Sequence, residues 1–66
     1  MLWTCFATYA LAVAAMREAD PAAELMERRG RVEVWIAPGD ATNYPARLTV
    51  VSDPADPPRV CVYIDD

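Results

Sequence analysis

The chain has 66 residues, 55% of them hydrophobic and 24% charged, enough for one compact domain and too few for a two-domain enzyme, a doubly wound nucleotide-binding fold or a repeat array. Six arginines against ten carboxylates give a formal net charge of −4, which argues against direct nucleic-acid binding, whose affinity comes largely from neutralising phosphates. Histidine and lysine are both absent, and with them the neutral-pH imidazole proton shuttle, the Schiff-base amine and the phosphate-clamping lysine.

Residues 1–16, MLWTCFATYALAVAAM, carry no charged side chain. A secretory signal has a similar apolar run, but no Arg or Lys precedes this one, and Arg17, Glu18 and Asp20 end it short of the roughly 20 residues a membrane-spanning helix needs. It is therefore expected to be a buried helix belonging to a cytoplasmic domain. Leu2, Phe6, Tyr9, Val13 and Met16 recur at steps of four and three and form one stripe, with Thr4 as a candidate first cap. Ala7, Ala10 and Ala14 form an adjacent strip of small side chains. Asp20-Pro21 fits an N-cap followed by proline at the first helical position, so AAELMERRG is expected to form a second short helix closed by Gly30, or the continuation of a helix kinked at Pro21. Glu24 and Arg28 would then form a pair four residues apart.

After Gly30 the period falls to two. In RVEVWIA, Val32, Val34 and Ile36 alternate with Glu33 and Trp35; Ala37-Pro38-Gly39-Asp40 fits a type II turn, and the loop continues to Pro45. ARLTVV forms a second strand, SDPADPP a rigid acidic connection, and RVCVYI a third strand. The expected architecture is a single α+β domain over residues 1–66. It has an N-terminal helix or kinked helix pair (helical 4–29) packed on a three-stranded antiparallel meander, with strands at about 31–37, 46–51 and 59–64. The aliphatic set Val32, Val34, Ile36, Leu48, Val50, Val60, Val62 and Ile64 would face the helices.

That assignment leaves Trp35, Thr49, Val51, Cys61 and Tyr63 on the opposite face, which is too apolar for an indifferent solvent surface and is rich in the residue types found at binding hot spots. The alternative is coverage of that face by the second helix or by the loop around Thr42 to Pro45. Asp53, Asp56, Asp65 and Asp66 add an acidic margin that would steer the protein toward a basic partner, such as the nucleic-acid-binding surface of another protein. Asp53 with Asp56, or Asp65 with Asp66, could in principle share a divalent cation, but aspartates between prolines are ordinary turn formers and a terminal pair usually frays, so no metal and no cofactor is expected. Cys5 and Cys61 lie near opposite ends, and a bond between them would close most of the chain, worth about 4 kcal/mol on the entropy account. With Cys5 in the helical stripe and Cys61 on the far side of the sheet, two reduced thiols are the expectation. Neither cysteine nor Ser52 has an imidazole or amine to activate it, so no enzymatic activity is expected.

The lysine-free, alanine-rich composition resembles that of proteins from GC-rich bacteria and their phages. In that setting a small acidic single-domain protein fits a stoichiometric inhibitor of a protein or nucleic-acid-binding complex, of anti-CRISPR, immunity or antitoxin type. The alternative is a small non-catalytic accessory or assembly subunit. Expected partners are another protein or a second copy forming a homodimer, with neither nucleic acid nor membrane bound directly.

Overall fold

The computed structural model describes residues 3–39, 41 and 44–65. In chain order the elements are β1 (Trp3–Phe6), α1 (Tyr9–Ala19), β2 (Glu24–Arg29), β3 (Val32–Ala37), β4 (Ala46–Asp53) and β5 (Arg59–Asp65). All five strands join one antiparallel sheet in the order β1-β5-β4-β3-β2. This is an α+β fold, but among the described residues one helix and five strands replace the expected helix pair over a three-stranded meander.

Two expected helical segments are strands at the two edges of the sheet. Trp3-Thr4-Cys5-Phe6 is rich in aromatic and β-branched side chains and pairs with β5, Trp3 opposite Tyr63 and Cys5 opposite Cys61. The helix starts later, where Thr8 takes an extended backbone and its hydroxyl accepts the Leu11 N–H at 3.2 Å. Thr8 rather than Thr4 is therefore the cap. Asp20, expected to open a second helix, instead ends α1 by donating its backbone N–H to the Met16 carbonyl at 2.9 Å. Its carboxylate accepts N–H groups from Ala22 at 2.9 Å and Gly39 at 3.0 Å, pinning the helix exit to the β3–β4 loop. The helix-favouring residues Glu24 to Arg29 form β2 because Gly30 and Arg31 make a two-residue turn, with Arg29 opposite Val32. Gly30 has φ 60 and Arg31 has no positive φ, as a II′ hairpin turn requires. Gly39 likewise has φ 78, the value the third position of a type II turn asks for.

β1 and β2 run in the same direction at opposite edges, about 19 Å apart at about 4.8 Å per strand spacing. A connection between strands of the same direction must cross a face of the sheet, and α1 makes that crossing. Its eleven residues span about 16 Å.

The register decides which side chains the helix covers. Cross-strand partners share a face, and Trp35 is opposite Leu48, Glu33 opposite Val50, and Val50 opposite Val62. The covered face therefore holds Trp35 (3% exposed), Leu48, Val50, Val60 and Val62, packed with Ala12 and Met16 of α1 and with Ala23. Phe6, Val13 and Ala46 border this core. The guanidinium of Arg17 lies 5.6 Å from the centre of the Trp35 ring. β4 and β5 face the helix as expected, whereas β3 is turned over: Trp35 is beneath the helix, and Val32, Val34 and Ile36 are on the other side. Leu2, part of the expected stripe, lies outside the described residues.

Cys5 and Cys61, both on the uncovered face, form a disulfide across 56 positions of sequence. The expectation of free thiols depended on Cys5 lying in a helix. As a strand residue it faces the same way as Cys61, and the closed loop accounts for about 4 kcal/mol on the entropy account. No helix among the described residues is long and apolar enough to cross a membrane.

The turned β3 strand changes what the tryptophans should do on mutation. Trp35→Ala should lower unfolding stability by about 3–5 kcal/mol, while Trp3→Ala, which removes a half-exposed ring, should cost less than about 1.5 kcal/mol. Denaturant titration of the two variants checks this; equal costs would contradict the placement of β3.

Candidate functional site: the open sheet face

On the side away from α1, β3 contributes Val32, Val34 and Ile36, β4 contributes Thr49 and Val51, β5 contributes Cys61 and Tyr63, and β1 contributes Trp3 and Cys5. Trp3 is 46% exposed, Val32 is also exposed, and Val34, Ile36, Thr49, Val51, Cys61 and Tyr63 are half-buried. The Trp3 and Tyr63 rings, on opposed residues of β1 and β5, sit 5.2 Å apart and tilted by 37°. The disulfide lies next to them, at one wall of a hollow that Trp3, Arg31, Val51, Asp53 and Pro54 also line.

Ion pairs frame this apolar band. Arg47 and Asp65 stand 3.5 Å apart at one end, Arg59 and Asp53 3.3 Å apart at the other, and Arg29 and Glu27 2.6 Å apart at the β2 edge. Asp53 also accepts the Ala55 N–H at 3.0 Å; that bond, followed by the one from Arg59, holds its carboxyl below the usual range. An apolar centre inside a polar rim is the layout of a protein interface.

Of the nine residues expected to form the partner surface, Thr49, Val51, Cys61 and Tyr63 come together on this face, and Asp53 and Asp65 stand at its two ends. Trp35 does not belong to it. Asp56 lies in the exposed β4–β5 loop, and Asp66 lies outside the described residues. The acidic margin is thus not a free negative patch, since Asp53 and Asp65 each have an arginine partner. Trp3, Val32, Val34 and Ile36 were missed. The apolar residues at both parities of Val34-Trp35-Ile36 hid the β3 set, and β1 was hidden by its continuity with the helical run.

Glu33 was missed as well, and it explains why β3 faces as it does. This glutamate is only 6% exposed, beneath the helix. Its Oε1 accepts the Tyr9 hydroxyl at 2.8 Å and the Trp35 Nε1–H at 2.9 Å; its Oε2 accepts the Arg28 Nε–H at 2.7 Å, with Arg28 Nη2 at 2.6 Å. Arg28 is its cross-strand partner on β2. Burial pushes the Glu33 carboxyl upward, but the bonds from Trp35, Tyr9 and Arg28, together with the Arg28 charge, outweigh it and hold the carboxyl below its usual range. The Tyr9 hydroxyl is pushed above its ordinary value, first by desolvation and then by its bond to Glu33 and the charge there. With both oxygens engaged, the carboxylate is a structural tie between α1, β2 and β3.

An apolar groove of about 250 Å³ runs beside α1 on the covered side, between Ala15, Met16 and Ala19 of the helix and Phe6, Leu48 and Val62 of the sheet. The carboxylate at its border, Asp20, has both oxygens occupied by backbone N–H groups. Among the described residues there is no cluster of three or more His, Cys, Asp or Glu arranged to hold a metal. No family model matches the chain, and comparison with curated proteins and with solved structures likewise found no significant match.

A carboxyl held low in the folded state stabilises the fold above its unfolded value, and that contribution disappears as pH falls through the folded value. Wild type should exceed Glu33→Gln by about 2 kcal/mol near neutral pH, the loss expected for hydrogen bonds to a charged group. The gap should be full above about pH 4.5, the ordinary glutamate range, and close as the solution is acidified below it. Urea unfolding from neutral pH to about pH 2.5 checks this; a gap unchanged at the acid end would contradict the ionised tie.

Proposed function

We propose that the chain is a small non-catalytic protein-binding module that engages a partner protein through its open sheet face, as a stoichiometric inhibitor of anti-CRISPR, immunity or antitoxin type would. The observation that carries this reading is the band from Trp3 and Tyr63 across Val51 to Val34 and Ile36, uncovered by any described element and rimmed by paired charges. Tryptophan and tyrosine at such a surface provide large contact area at low entropic cost. Because Asp53 and Asp65 are paired with arginines, partner choice rests on apolar shape more than on attraction to a basic groove. The version in which the protein imitates nucleic acid is correspondingly less supported.

The same observation favours a second reading, an accessory or assembly subunit whose larger complex covers the face permanently. Paired rim charges provide little long-range steering, which matters more to an inhibitor that must find its target than to a subunit assembled once. The cytoplasmic location expected from the sequence is a proposal beside an observation that pulls against it, since disulfides persist mainly in oxidising compartments.

A photo-crosslinking residue placed at Tyr63, on the open face, and separately at Leu11, on the exposed side of α1, tests the reading in the native host. The Tyr63 site should give one dominant protein adduct that the Leu11 site does not. Identical products from both positions, or none from Tyr63, would remove the open face as the docking surface. Adding the free chain to the captured partner then separates an inhibitor, which lowers the partner's activity, from a subunit, which sustains it.

A further inference from the structure

Resting on the reading of the open face as a protein-docking surface, we infer that the occupant of this face in the free protein is a second copy of the chain, giving a symmetric face-to-face dimer. The first support is charge. The face and its rim carry Arg29, Arg31, Arg47 and Arg59 against Glu24, Glu27, Asp53 and Asp65, a difference of four minus four, or zero, although the whole chain carries −4. Three of those acids are already closed onto Arg29, Arg47 and Arg59. A strongly basic partner gains little from such a surface, whereas a surface of the same near-neutral kind meets it without repulsion.

Among the other acids of the described residues, Glu18, Asp20 and Glu33 do not oppose this pairing, and Asp56 lies in the exposed β4–β5 loop outside the paired strands. Glu18 and Asp20 lie on the helix side, and packed sheets stand about 10 Å apart, so these charges are separated across the dimer by more than the Debye length of about 8–10 Å. Glu33 is neutralised by Arg28 within its own chain.

The second support is area. Five strands at about 4.8 Å make the face about 24 Å wide, and six paired residues at about 3.4 Å make it about 20 Å long. The footprint is on the order of 500 Å² per copy, or roughly 1,000 Å² for the pair, at the threshold for a specific interface. That size suits a dimer that forms at elevated concentration and comes apart on dilution, so the face is shielded in storage and released for another protein. A two-fold axis makes the contact self-complementary and closed, so assembly stops at two.

Sedimentation equilibrium of the disulfide-intact chain over about 1–500 µM tests this, because association is driven by concentration. The mass should rise from the 7.3 kDa of one chain toward twice that value. Val34→Glu, which places a charge at the centre of the band, should keep the protein near one chain mass throughout, while Leu11→Glu on the exposed side of the helix should leave the rise intact. If circular dichroism shows Val34→Glu unfolded, a dilution series of wild type by NMR replaces it, and its shifts should be confined to the neighbourhood of Trp3, Val34, Val51 and Tyr63. A wild-type mass fixed at one chain, a folded Val34→Glu that still dimerises, or dilution shifts on α1 instead of the open face would overturn the second copy as occupant. In that event a foreign adduct specific to the Tyr63 crosslinker leaves the docking face standing, and its absence removes both.

Discussion

The Glu33 carboxylate is the contact on which the remaining geometry depends. A buried carboxylate costs several kcal/mol unless charge and hydrogen bonds answer it. Here the answers come from three separate elements: the first residue of α1, the edge strand β2, and Trp35 two positions along the same strand. Because Glu33 and Trp35 share a face, anchoring the carboxylate beneath the helix places the indole there too. The three β3 aliphatics are thereby turned outward, and the apolar open face follows from a polar contact on the opposite side.

Topology compounds this effect. With β1 and β2 parallel at opposite edges, α1 must travel the width of the sheet and can lie on only one side of it. A helix about 10–12 Å across does not fill a sheet about 24 Å wide, and the groove beside Ala15 and Ala19 is the part left unfilled even on its own side. On the other side no described element covers the valines, and the disulfide holds the four-residue strand β1 to the sheet there. A small domain stabilised in this way has a thin core around Ala12, Trp35 and Val50, and one cross-link over most of its length offsets that. The same uncovered surface is what gives the molecule something to bind with.

The three C-terminal strands were legible in the sequence because period-two alternation and proline-rich connections mark Val32–Ala37, Ala46–Asp53 and Arg59–Asp65 directly. The inward sets of β4 and β5 could be read for the same reason. The facing of β3 could not: Val34, Trp35 and Ile36 are apolar at both parities, and the deciding residue, Glu33, looks like a solvent residue until Tyr9 and Arg28 are brought to it by tertiary structure. β2 was obscured by propensity, since Ala, Glu, Leu, Met and Arg all favour helices and only pairing with β3 across Gly30-Arg31 overrides that preference. Thr8 followed by the apolar run of α1 was a readable start signal, and Trp3-Thr4-Cys5-Phe6 before it carries the composition of a strand. The open face was legible as an idea, from Thr49, Val51, Cys61 and Tyr63, but its tryptophan is Trp3 rather than Trp35.

The facing of β3 is therefore the claim to test, and the indole proton of Trp35 reports it directly. In a nuclear Overhauser spectrum of the disulfide-intact protein, this proton should show contacts to the Tyr9 ring and to α1, and should exchange slowly with solvent because its bond to Glu33 is buried. Contacts from that proton to Thr49, Val51 or Tyr63 would place Trp35 on the open face and contradict the account.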